Sequence, residues 1–162
     1  MITFDATAHI ARPIDEVFAY VSDPLNFPRW NSAVQAVQKS SAGENGAALT
    51  YSMVRELPTG PAENELEILA RERPSEFAVR TISGPTPFRY RYRFSAENGE
   101  TLVQLEAEVE LQGAAAFLPQ LARRAVKAGV EDNLETLKEI LEAEQDRTWP
   151  TQRQAVEHAP PR

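Results

Sequence analysis

The residues able to do chemistry in this 162-residue chain fall on the alternating faces of strand-like segments. Tyr51, Met53 and Arg55 share one face, as do Asn64, Leu66 and Ile68, then Phe77, Val79 and Thr81, then Phe88, Tyr90, Tyr92 and Phe94. Three hydroxyls, an amide and a guanidinium are thus interleaved with apolar side chains. A buried tyrosine hydroxyl needs a hydrogen-bond partner, and an unpartnered buried amide costs a few kcal/mol, so Asn64 must bond protein, water or ligand. Tyr51, Arg55, Asn64 and Tyr90 form the candidate catalytic set, as donors to a carbonyl oxygen. The alternative for Arg55 is a strand-end side chain pointing to water. No nucleophile, base and orienting group can be assembled, and no GxSxG, phosphate loop or HExxH occurs. Any catalysis would rest on shape, exclusion of water and these few donors. The chain has no Cys, so disulfides, thiolate zinc sites and cysteine nucleophiles are excluded. Its two histidines, His9 and His158, make no metal cluster, and His9 has the parity of Asp5 and Thr7, which face solvent. No metal and no cofactor are expected.

The elements that carry these residues can be read in order. Residues 2–10 alternate Ile2, Phe4, Ala6, Ala8 and Ile10 against polar partners, a half-buried strand. Pro13 opens a short helix with acids in its first turn, and Asp23 caps a second helical turn that ends near Trp30. Trp30 is either a wall of a binding cavity or a packing residue. Six further strand-like runs follow. The last two are joined by Asn98-Gly99, the pair preferred in two-residue type I′ turns. That turn sets Phe94 opposite Val103, Tyr92 opposite Leu105, Tyr90 opposite Ala107 and Phe88 opposite Val109, with Arg91 meeting Glu106 and Arg89 meeting Glu108 on the other face. A helix is predicted from about residue 114 to 144, with a stripe from Leu118 to Leu141. Phe117, Leu121, Ala125 and Gly129 are assigned toward the sheet. Small helix residues opposite large sheet residues either interdigitate or leave room for a ligand. The architecture is α+β: a curved seven-stranded antiparallel sheet wrapped around a long C-terminal helix, with two short helices after the first strand.

Seventeen basic against 24 acidic residues give a net charge of −7, which argues against nucleic acid and anionic membrane surfaces as partners. No apolar run approaches the roughly 20 residues of a membrane span, and the N-terminus lacks a signal-peptide pattern, so a cytoplasmic, non-inserting protein is expected. Residues 1–144 form one domain. Residues 145–162, rich in proline and poor in apolar periodicity, read as a disordered tail in which Trp149 is the one candidate for docking on the body.

The opening HIARPIDEVFAYVSDPLNFPRWN, the segment ILARERPSEFAV and the hairpin YRFSAENGETLVQLEAEVEL before a long helix resemble the START-like helix-grip superfamily, in its polyketide cyclase/dehydrase-like branch. The resemblance implies a cavity between sheet and C-terminal helix that holds a hydrophobic, lipid- or polyketide-like molecule. Trp30, Met53, Leu66, Ile68, Phe77, Val79, Phe88, Tyr92, Phe117, Leu121, Ala125 and Gly129 are the candidate lining residues. Fold alone does not choose among activities. The resemblance leaves open a carrier or receptor and a cofactor-free cyclase, aromatase or dehydratase that folds a poly-β-keto chain. A third alternative is a protein-interaction module using the acidic end of the helix and the tail, and the chain is expected to be a monomer or homodimer.

Overall fold

A computed structural model describes residues 1–146, and the tail with Trp149 lies outside the described residues. Seven strands form one antiparallel sheet: β1 (Ile2–Ile10), β2 (Val34–Ala42), β3 (Leu49–Leu57), β4 (Gly60–Glu72), β5 (Glu76–Ser83), β6 (Phe88–Glu97) and β7 (Glu100–Val109). Their spatial order is β1-β7-β6-β5-β4-β3-β2. Two short helices, α1 (Ile14–Val21) and α2 (Phe27–Trp30), follow β1, and α3 (Pro119–Asp146) closes the described chain after a 3-10 turn at Gly113–Phe117. This is the helix-grip architecture expected from the sequence.

The β6–β7 hairpin has the register set by its turn, with Phe88 opposite Val109, Tyr92 opposite Leu105 and Phe94 opposite Val103. Asn98 and Gly99 both take positive φ, 52° and 81°, as a type I′ turn requires. Arg91 lies opposite Glu106 and Arg89 opposite Glu108, as expected, but the ion pairs form on the diagonals. Arg93 pairs with Glu106 at 2.8 Å and Arg91 with Glu76 at 3.5 Å, because long arginines reach diagonally rather than straight across.

The two edges of the sheet are treated differently. Helix α3 runs along β1 and satisfies its free backbone groups: Arg123 Nε donates to Thr3 O (2.9 Å), Lys138 Nζ to His9 O (2.6 Å), and Ala11 N–H donates to Glu142 Oε1 (2.9 Å). An edge strand so covered is closed to further pairing. On its other side α3 is tied to the start of β2 through Asn133, whose Oδ1 accepts from Ser32 N–H (3.1 Å) and whose Nδ2 donates to Asn31 Oδ1 (3.2 Å).

The rotation of α3 differs from the sequence reading. Leu134, Leu137 and Leu141 are buried, and Val126, Val130 and Ile140 pack half-buried on the same face. Leu121 is 63% exposed and Phe117 85% exposed, and Ala125 and Gly129 are exposed too. At 3.6 residues per turn, the row that leads back from Leu137 and Leu134 passes through Val130 and Val126, which leaves Leu121 on the opposite side. Phe117, Leu121, Ala125 and Gly129 therefore do not face the sheet.

Candidate functional site

The concave face of the sheet has a filled half, packed by the short helices, and a more open half, whose side chains stay partly exposed. In the filled half the short helices supply aromatic side chains. Phe18 meets Phe94 edge-on at 5.4 Å, Phe27 meets Phe77 at 6.5 Å, and Trp30 meets Tyr92 at 6.4 Å. Phe77 and Tyr92, on neighbouring strands, stack at 5.9 Å. Trp30 is thus a packing residue, and its buried indole N–H has no hydrogen-bond partner among the described residues. Phe77 and Tyr92 belong to the same plug. Burial pushes the Tyr92 phenol pKa far up, which holds it neutral. The cavity expected along the whole sheet–helix interface does not extend here, because three aromatic rings of α1 and α2 fill the space.

The open half lies toward the other end of the strands. Its floor is built by register: Tyr51 opposite Leu66, which is opposite Thr81, and Ile68 opposite Val79, which is opposite Tyr90. Tyr51, Met53, Leu66 and Val79 are buried at the base, whereas Ile68, Thr81, Phe88 and Tyr90 are half-buried. Neither α1 nor α2 supplies an aromatic partner at this end. Helix α3 offers Val126 and Val130, two short side chains that are themselves half-buried. Phe88 and Tyr90 lie with ring centroids 4.6 Å apart.

Two polar residues border this half. Arg55 is 9% exposed and Asn64 is 1% exposed. The tight β3–β4 hairpin sets Met53 opposite Asn64 and leaves Arg55 one step further along the same face. Arg55 Nε donates to Asn64 Oδ1 (2.8 Å), and its Nη2 donates to Pro85 O (2.8 Å) and Thr86 O (3.1 Å). Asn64 Nδ2 donates to Ser83 O (3.1 Å) and Pro85 O (2.9 Å). Together they clamp the β5–β6 connection over the sheet. Gly84 makes the clamp possible: at φ 95°, a Cβ there would stand 2.2 Å from Glu63 O and 2.6 Å from Asn64 Nδ2. Asn64 thereby spends both amide hydrogens on the loop, so its assignment as a catalytic donor gives way to a positioning role.

Arg55 keeps one nitrogen free, with two N–H donors. Its guanidinium carbon lies 5.2 Å from the Phe88 ring centroid, and Nη1 has no acceptor among the described residues. Tyr90 lies close enough to feel the cation. Burial raises the Tyr90 pKa to about 12, partly countered by Arg55, and burial lowers that of Arg55. At neutral pH the pair is therefore a phenol and a cation, two donors beside an apolar floor. That arrangement can hold a carbonyl oxygen or stabilise an enolate.

Two depressions lie away from the concave face. One of about 490 Å³ sits on the outer face among Asp5, Arg89, Arg91, Glu106, Glu108 and Arg123. The other, about 310 Å³, lies between Tyr20, Arg29 and the last turns of α3. The sequence signals missed neither the floor nor the polar pair; they missed the loop clamp, which Gly84 and the Pro85-Thr86-Pro87 run could have flagged.

A curved seven-stranded antiparallel sheet gripping a long C-terminal helix, with short helices after the first strand, is the START-like helix-grip type. Residues 1–142 match the family model described as polyketide cyclase/dehydrase and lipid transport, and the chain belongs to that family. No functionally curated protein matches the sequence significantly. Among solved structures, the fold is shared with a START superfamily protein of Mycobacterium smegmatis (TM-score 0.71, 14% identity, covering 87% of this chain and 97% of that one). It is also shared with the protein TTHA0849 of Thermus thermophilus (TM-score 0.73, 18% identity, 88% and 99% covered). A third is the di-domain ARO/CYC StfQ from the steffimycin biosynthetic pathway (TM-score 0.71, 13% identity, 90% of this chain covered), of which this chain spans 52%. At these identities the structural likeness shows the fold alone. Among the described residues, no helix is long and apolar enough to cross a membrane.

Proposed function

We propose that this chain binds a hydrophobic or aromatic small molecule, lipid- or polyketide-like, in the open half of its concave face. The observation that supports this reading is the asymmetry of the hollow. One half is plugged by Phe18, Phe27 and Trp30, and at the other Ile68, Phe88 and Tyr90 stay half-buried, with Val126 and Val130 the short apolar side chains that the first half of α3 turns to the core. A protein selected only for stability fills such space, since close packing adds contacts throughout the core. The family's description as cyclase, dehydrase and lipid transport agrees with this reading.

The test is binding of the neutral dye Nile red, with native mass spectrometry of protein purified from cells to look for a retained hydrophobic compound. Val126→Trp places an indole in the open half and is expected to weaken dye binding at least tenfold while leaving the melting transition in place. Unchanged dye affinity in a folded Val126→Trp protein would overturn the proposal.

The Arg55–Tyr90 donor pair favours one second reading: a cyclase or dehydratase acting on a bound poly-β-keto chain. In that reading the floor orients the chain, water takes the α-proton while Tyr90 Oη–H and Arg55 Nη1 hold the enolate oxygen, and the α-carbon then attacks a second carbonyl of the chain, whose oxygen takes up a proton to become the aldol hydroxyl. The ARO/CYC proteins of similar fold come from biosynthetic pathways, which agrees with this reading. Product formation from a poly-β-keto substrate should fall in Tyr90→Phe; unchanged product distribution and rate would leave the binder reading alone.

A further inference from the structure

The chain is acidic, yet the open half of its concave face is not. On the described strands of that half, the charged side chains that share the concave face are Lys39 and Arg55. Lys39 on β2 is opposite Tyr51, and its Nζ stands 6.0 Å from the Tyr51 ring centroid. Arg55 lies beneath the β5–β6 connection, nine-tenths buried and with Nη1 unpartnered among the described residues. The acids of the neighbouring strands have the opposite parity. Glu63, Glu65 and Glu67 alternate with Asn64, Leu66 and Ile68, and Glu106 and Glu108 alternate with Leu105 and Ala107. A net charge of −7 thus coexists with a hollow whose strands direct two cations and no carboxylate toward it.

Holding Arg55 in place takes three bonds, from Nε and Nη2. A guanidinium has five N–H donors, and the two on Nη1 remain for an acceptor in the hollow. Burying a cation without its counter-charge is costly, so the arrangement favours an incoming anion. The half-buried Tyr90, whose ring lies 4.6 Å from that of Phe88 against the guanidinium, brings a hydroxyl to the same side. From this juxtaposition we infer that the ligand is an amphipathic organic acid: an apolar or aromatic body on the floor, and a carboxylate held by Arg55 Nη1 and Tyr90 Oη, with Lys39 as a second cation. The inference rests on the binding reading above and adds the charge of the ligand to it.

The experiment measures displacement of Nile red by matched pairs, dodecanoate against methyl dodecanoate and naphthylacetate against its methyl ester. Each acid is expected to bind at least tenfold more tightly than its ester. Lys39 is exposed, so Lys39→Gln should fold normally, weaken the acids severalfold and leave the esters unchanged. Tyr90→Phe should likewise narrow the gap. Equal or better binding of the esters overturns the inference while the hollow stands. So does failure of both acids to displace a dye whose binding is lost in Val126→Trp. Dye binding that Val126→Trp does not alter overturns the binding reading itself.

Discussion

Removing Asn64 should loosen the roof of the open half before it affects anything else. In Asn64→Ala three hydrogen bonds disappear: the one accepted from Arg55 Nε and the two donated to Ser83 O and Pro85 O. Each neutral bond contributes about 1 kcal/mol net, and the one from a charged donor about 1.5–3 kcal/mol. The total loss is about 3–5 kcal/mol, a large share of the roughly 5–15 kcal/mol that stabilises a domain. Arg55 keeps its two bonds to Pro85 O and Thr86 O, so the chain should still fold. Urea unfolding measures the loss. Hydrogen exchange locates it: the amides of Ser83, Gly84 and Thr86, the last of which donates to Gln112 Oε1 at 2.8 Å, should exchange faster than those of β6 and β7. A loss below about 1 kcal/mol, or a loss with unchanged exchange in that loop, would refute the clamp and return Asn64 to the ligand.

The two faces of α3 should respond oppositely to truncation: Leu137→Ala should cost about 2–5 kcal/mol, and Leu121→Ala should stay within about 0.5 kcal/mol by thermal or urea unfolding. Gly84→Ala should destabilise and displace the loop, since its Cβ meets backbone at 2.2 Å; a melting temperature equal to that of the parent would contradict the close approach. Tyr90, raised to about 12 by burial, deprotonates in the unfolded chain first, near pH 10. Its contribution to stability is therefore full below about pH 10 and lost as pH rises toward 12, and Tyr90→Phe should flatten that loss in unfolding measured against pH. Glu142 is held below the usual carboxylate range by the Ala11 N–H and Lys138. Its contribution is present above the ordinary glutamate pKa and fades as pH falls through the lower folded value, and Glu142→Gln should remove that acid dependence.

How far the sequence could be read depended on the strength of each local signal. The β6–β7 register was legible because a type I′ turn and strict alternation act together, and a slip of one residue would bury arginine and glutamate. The placement of Met53 opposite Asn64 was legible for the same reason. The role of Asn64 was not, because the carbonyls it holds belong to a loop that returns from about twenty residues away. The phase of α3 failed where Ala and Gly predominate. Ala122, Ala125, Ala128 and Gly129 carry little hydrophobic contrast, so two rows fit the first half of the helix equally well. Leu134 sets the phase that half-buries Val126 and Val130 and turns Leu121 outward. Trp30 and Tyr92 share the polarity of ligand-binding aromatics, and only the packing of α1 and α2 against Phe77 and Phe94 assigns them to the core.

Whether the hollow is usable at one end only can be mapped residue by residue through methyl chemical shifts, with Nile red as the occupant. One-ended occupancy predicts shifts at Ile68, Val79, Val126 and Val130, and none at Leu134, Leu137 or Leu141. Shifts concentrated at the outward-facing Leu118 and Leu121, or spread along the plugged end, would contradict it.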